Sequence, residues 1–114
     1  MEDCVFCRIA GKEIRANIVH EDADVLAFED INPQAPVHIL IIPKEHIATL
    51  NEAPADREAL LGRLLMRARD IAAAKGLAAG GYRCVLNTGR DSGMEVHHIH
   101  LHLLGGRPMA WPPG

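Results

Sequence analysis

The sequence has no excess of positive charge: 12 lysines and arginines stand against 15 aspartates and glutamates, a formal net charge of −3 over 114 residues. A protein that grips nucleic acid needs a basic patch or stripe, so nucleic acid is not an expected partner. No apolar run approaches the roughly 20 residues required to cross a bilayer, and no membrane partner is expected either. The first residues, Met1-Glu-Asp-Cys4, are acidic and lack the apolar core of a signal peptide. Cysteines number only three, an odd count that does not make a disulfide framework. A reducing, cytoplasmic home follows as the expectation. Internal repeats, low-complexity tracts and interdomain linkers are also missing. With 48% hydrophobic residues, positions 1–114 read as one domain with a modest core.

What is present alternates between short strands and one strong helix. Cys4 to Ile9 reads as a helical turn stopped near Gly11. Ile18 to Glu21 and Val25 to Phe28 are strand candidates joined by the turn-prone Asp22-Ala-Asp24. Asn32 to Pro36 is a loop, because its prolines forbid regular pairing. Val37 to Ile42 is a dense β-branched strand ended by Pro43. Pro54 opens the main helix as an early-turn proline, with Asp56 and Glu58 favourable to its N-terminal dipole. Leu60, Leu61, Leu64, Leu65, Ala68, Ile71 and Ala72 recur at helical spacing, and Gly76 supplies the stop. Tyr82 to Asn87 and Val96 to Leu104 are the last two strands. The fold class is α+β, an antiparallel sheet with the helix packed on one face.

The run His97-His98-Ile99-His100-Leu101-His102-Leu103-Leu104 places a histidine at every second position from 98 to 102. In a strand, His98, His100 and His102 share one face and Ile99, Leu101 and Leu103 the other. Metal binding and catalysis compete to explain this. The Cα atoms of His98 and His102 lie roughly 13 Å apart at about 3.3 Å rise per residue. A single zinc, with Zn–N bonds of about 2.0–2.1 Å, does not reach all three rings without both outer ones leaning inward. A central imidazole acting as nucleophile, with neighbours that orient it or hold an anion, suits the spacing better. His38, within Val37-His-Ile-Leu-Ile-Ile42, shares a strand face with Leu40 and Ile42.

These residues carry a resemblance. The His98-to-Leu104 run, preceded by Asn87-Thr-Gly89 and followed by Gly105-Gly106-Arg107, resembles the histidine triad (HIT) proteins. Further matching stretches are Cys4-Val-Phe-Cys7, Leu26-Ala-Phe28-Glu-Asp30-Ile31, Pro33 to His38, Ile42-Pro-Lys-Glu-His46, and Gly81-Tyr-Arg83. The Trp111-Pro-Pro-Gly114 ending resembles the Hint branch, the purine nucleoside phosphoramidases. The resemblance implies a HIT-like fold: a five-stranded antiparallel sheet, one main helix and a short N-terminal helix. It also implies a homodimer in which the tail, about 105–114, crosses to the partner.

By the same resemblance the activity is hydrolysis of the P–N bond of nucleoside 5′-phosphoramidates to a nucleoside monophosphate and an amine. His100 is the nucleophile and forms a covalent nucleotidyl-histidine. His102 and His38 bind the non-bridging phosphate oxygens, and His98 completes the triad. No cofactor is required for this chemistry, since neutral imidazole needs no deprotonation near pH 7. Asp30 accepts hydrogen bonds from the ribose. Phe28, Ile31, Phe6 and Ile9 wall the purine, Phe6 and Ile9 being equally readable as core. Asn87, Gly93, Glu95 and Val96 lie on the phosphate side, and Trp111 reaches the partner's site. Glu95 stands where some relatives carry serine; it reads either as a contact for cationic leaving amines or as a solvent-facing residue. Some HIT proteins hold a structural zinc with residues matching Cys4, Cys7, His46 and His98; free thiols packed under the sheet are the other reading. Two further function classes stay open: a nucleotide-binding interaction protein with incidental catalysis, and another HIT-branch nucleotidyl hydrolase or transferase such as a dinucleoside polyphosphate hydrolase.

Overall fold

A computed structural model describes residues 3–114. Its helices are α1 (Val5–Ala10) and α2 (Glu58–Ala74), and its strands are β1 (Ile18–Glu21), β2 (Val25–Glu29), β3 (Val37–Pro43), β4 (Tyr82–Leu86) and β5 (Leu101–Gly105). The five strands form one antiparallel sheet, as the family resemblance implies, and their order is β1-β2-β3-β5-β4.

The sheet buries both faces, each under a different helix. Ile39 and Ile41 of β3, Val25 and Ala27 of β2, and Leu101 and Leu103 of β5 meet Leu60, Leu64, Ala68, Ile71 and Ala72 of α2. The alternate residues Leu26, Phe28, Leu40 and Ile42 meet Phe6 and Ile9 of α1 on the opposite face. Period-two alternation along the strands therefore sorts two cores, and the histidines of β3 and β5 belong to the second face.

Helix α2 ends as Gly76 foretells. Gly76 takes a φ of 75°, its N–H donates to the Ala73 carbonyl at 3.1 Å, and the Leu77 N–H reaches the Ala72 carbonyl at 2.8 Å. This pairing satisfies carbonyls that the last turn leaves open. Leu77 then lies flush on β5: a Cβ at Gly105 would stand 2.6 Å from a Leu77 methyl.

Four boundaries and exposures differ from expectation. Helix α2 starts at Glu58, because Ala55–Arg57 after Pro54 form a separate 3₁₀ turn. Within α2, Leu65 is 56% exposed, outside the buried stripe. Strand β4 ends at Leu86, one residue before Asn87. The largest correction is at β5, which begins at Leu101 and not Val96. The Ile99 N–H donates to the Ile47 carbonyl at 2.8 Å instead of to a neighbouring strand. Apolar alternation continues through Ile99, so sequence periodicity alone does not mark where the ladder stops.

Candidate functional site

The α1 face of the sheet opens into a cavity of about 590 Å³. His38 enters from β3 and His102 from β5, with His100 in the extended segment just ahead of that strand. Phe6 of α1 packs edge-on against His100, with ring centroids 5.0 Å apart, and against Phe28 at 5.5 Å. Phe6 is thus buried core and cavity wall at once.

Hydrogen bonds assign a tautomer to each ring. The Gln34 N–H donates to His38 Nδ1 at 3.0 Å, so a neutral His38 carries its proton on Nε2. That Nε2 lies 2.9 Å from His102 Nδ1 and donates to it, which leaves the His102 proton on Nε2. His100 Nδ1 donates to the His98 carbonyl at 2.7 Å, leaving Nε2 as its unprotonated nitrogen. Two complementary groups result: a lone pair on His100 and an N–H donor on His102. Burial lowers the His38 pKa, partly opposed by the Asp30 charge. His102 is pushed down to about 4, chiefly by burial and then by His100 and His38, against the pull of Asp30. Both rings are neutral at pH 7, as the tautomer chain requires.

Asp30 lies beside this pair, its Oδ2 3.5 Å from His38 Nε2, while its Oδ1 accepts from the Asn32 N–H at 2.8 Å. Asp30, His38 and His102 also place ligand-type atoms within 4.8 Å of one another. Both nitrogens of His38 are already engaged, so this trio is a hydrogen-bonded unit rather than a ready metal cage.

His98 is fully buried and takes no part in lining the cavity. Its Nε2 donates to the Pro43 carbonyl at 2.8 Å, which leaves Nδ1 as an acceptor. That Nδ1 stands 3.3 Å from Cys4 Sγ and 3.5 Å from Cys7 Sγ, while His46 Nδ1 is 3.2 Å from Cys7 Sγ. Tetrahedral zinc with Zn–S near 2.3 Å and Zn–N near 2.0 Å separates its ligands by roughly 3.3–3.8 Å. The separations of 3.2, 3.3 and 3.5 Å are close to that spacing, and all four donors lie within 4.8 Å of one another. Burial, with Cys4 alongside, pushes the Cys7 thiol up to about 11.

The remaining expected residues divide into three groups. Phe28, Ile9, Asn87, Gly93, Glu95 and Val96 line the cavity as expected. Ile31 lines it too but is 100% exposed, so it is a rim residue of this chain and not a buried wall. Trp111 is 82% exposed and lies away from the cavity. Gln34 went unnoticed in the sequence, because its contribution to His38 is a backbone N–H that no side-chain pattern advertises.

Comparison with known proteins agrees with this geometry. The HIT domain family model matches residues 11–109. An uncharacterized HIT-like protein of Synechococcus elongatus is 58% identical over 113 residues, 99% of this chain and 98% of that protein. The purine nucleoside phosphoramidase of Escherichia coli K12 is 51% identical over 108 residues, covering 95% and 91%. Among solved structures, a HIT family hydrolase from Legionella pneumophila superposes with a TM-score of 0.96 at 57% identity, covering 98% of this chain and 100% of that one. A zinc-bound histidine triad family protein from Mycobacterium smegmatis gives 0.80 at 34% identity, covering 93% and 76%.

Proposed function

This chain belongs to the HIT domain family, and on that premise we propose that it is a purine nucleoside phosphoramidase. The observation that carries the reading is the pairing of an unprotonated His100 Nε2 with a His102 Nε2–H in one cavity. A phosphoramidate needs both: a nucleophile in line with the P–N bond, and a donor for the oxygens that hold charge in the transition state. His100 Nε2 attacks phosphorus as the P–N bond breaks, the leaving nitrogen taking a proton from solvent to depart as the amine, and a nucleotidyl-histidine forms. Water then displaces His100, giving the nucleoside monophosphate. His38 passes its hydrogen bond to His102 and so keeps the donor aimed at the phosphate. Asp30 accepts from the ribose hydroxyls, Phe28 and Ile31 bracket the base, and Asn87, Gly93, Glu95 and Val96 border the phosphate.

Zinc held by Cys4, Cys7, His46 and His98 would tie α1 to the sheet; no catalytic step passes through it. We further assign one domain over 1–114 acting as a cytoplasmic homodimer, with the 105–114 tail and Trp111 reaching the second copy.

The test is release of AMP from adenosine 5′-phosphoramidate in the presence of EDTA. Wild-type turnover that falls at least about 10³-fold in His100→Ala supports histidine nucleophilic catalysis. A folded wild type that binds AMP but does not turn over would instead make the protein a nucleotide-binding module.

A further inference from the structure

The hydrogen bond that sets the His38 tautomer comes from a loop with no ladder of its own. Gln34 lies between Pro33 and Pro36, in the irregular segment joining β2 to β3. Nothing in a sheet holds that N–H in line with His38 Nδ1. The other side of the same residue is clamped. Arg107 directs two donors at the Gln34 carbonyl, Nε at 3.2 Å and Nη2 at 2.9 Å, while its Nη1 reaches the Pro108 carbonyl at 3.1 Å. A planar fork of this kind fixes its acceptor in direction as well as distance, which an ammonium does not.

The fork stands two residues beyond β5, the strand that bears His102. The close approach depends on Gly106, whose φ is 91° and whose absent Cβ would stand 2.9 Å from Pro36 Cβ. Two routes therefore run from β5 to the histidine pair. One is the strand itself, through His102. The other runs through Arg107, the Gln34 backbone and His38, and meets the first at the 2.9 Å His38–His102 hydrogen bond.

We propose that Arg107 is a positioning residue. By holding the Gln34 backbone it fixes the orientation and the Nε2–H tautomer of His38, and through His38 the donor that His102 presents to the cavity. Its kinetic consequence rests on the phosphoramidase reading, but the tautomer does not.

The experiment is long-range ¹⁵N–¹H NMR of the imidazole rings at neutral pH, with AMP release from adenosine 5′-phosphoramidate measured on the same samples. Wild type is expected to show His38 protonated on Nε2 alone. Arg107→Ala is expected to show a mixture of His38 tautomers in an otherwise native spectrum, with kcat down about tenfold and KM little changed. Arg107→Lys, which keeps the charge but lacks the planar fork, is expected to fall between them; it carries the comparison if the alanine variant is poorly folded. A wild-type His38 protonated on Nδ1, or an unchanged tautomer in both variants whatever their activity, would overturn the proposal. If wild type does not turn over yet the tautomer responds to Arg107, the positioning role stands and the phosphoramidase reading falls.

Discussion

His98 faces two neighbourhoods at once. Its ring reaches the thiols of Cys4 and Cys7, and its carbonyl accepts from His100 Nδ1. The residue that fixes the proposed nucleophile's tautomer is therefore also the one that anchors the N-terminal helix. Phe6 reinforces this, lying 6.0 Å from the His98 ring and 5.0 Å from His100. Neutral His98, its pKa lowered chiefly by burial, has Nδ1 free as a ligand. Purified protein grown with zinc is expected to carry about one ion per chain, and Cys4→Ser to lose most of it, by elemental analysis. Wild type that stays metal-free under zinc supplementation would leave Cys4 and Cys7 as packed thiols.

At the scale of elements, β4 is an edge strand, paired with β5 on one side only. Its Tyr82 is 39% exposed, and its one charged residue, Arg83, is engaged with the tail, donating to the Ala110 carbonyl at 2.9 Å. The homodimer proposed above would place its second copy along this edge. Sedimentation velocity is expected to give twice the 12.4 kDa chain mass, and a species of single-chain mass at micromolar concentration would refute the dimer. The elements themselves were largely legible. Strands β1, β2 and β3 match their sequence readings to within a residue, because turn residues and Pro43 bracket them. The triad segment was less so. Its alternation correctly separates Ile99, Leu101 and Leu103 from the histidines, yet only Leu101 onward is strand. The Ile47 carbonyl that intercepts the Ile99 N–H is 52 positions away in sequence, and no local pattern reveals it. Within the site, the histidines and Asp30 showed in the sequence through the family's pattern. Gln34 did not, since any residue but proline supplies an N–H.

Across the whole molecule, the fold holds buried or half-buried neutral rings that the unfolded chain would protonate. His102 is pushed from 6.5 down to about 4, and His38 and His98 are shifted the same way by burial. Above pH 6.5 these rings are neutral in both states and cost nothing. As pH falls from 6.5 toward 4 the unfolded state takes up protons that the fold refuses, and stability drops. Asp22 extends the trend at lower pH. Although burial opposes its charge, hydrogen bonds from His20, Arg67 and the backbone of Asp24 and Val25 hold its carboxyl well below the usual range. Thermal unfolding midpoints are expected to decline steadily from pH 6.5 to 4; a level profile would mean that the rings are protonated within the fold. The alternation along β5 has a consequence for how such a molecule diverges. Leu101 and Leu103 hold the α2 core while His102, between them, points at the cavity. Chemistry and stability are interleaved residue by residue, so no transplanted segment alters one without the other. New specificity is therefore reached by single substitutions at alternate positions, while changes of length fall to the irregular 87–96 segment bordering the cavity, because the loop carrying Gln34 is held by Arg107.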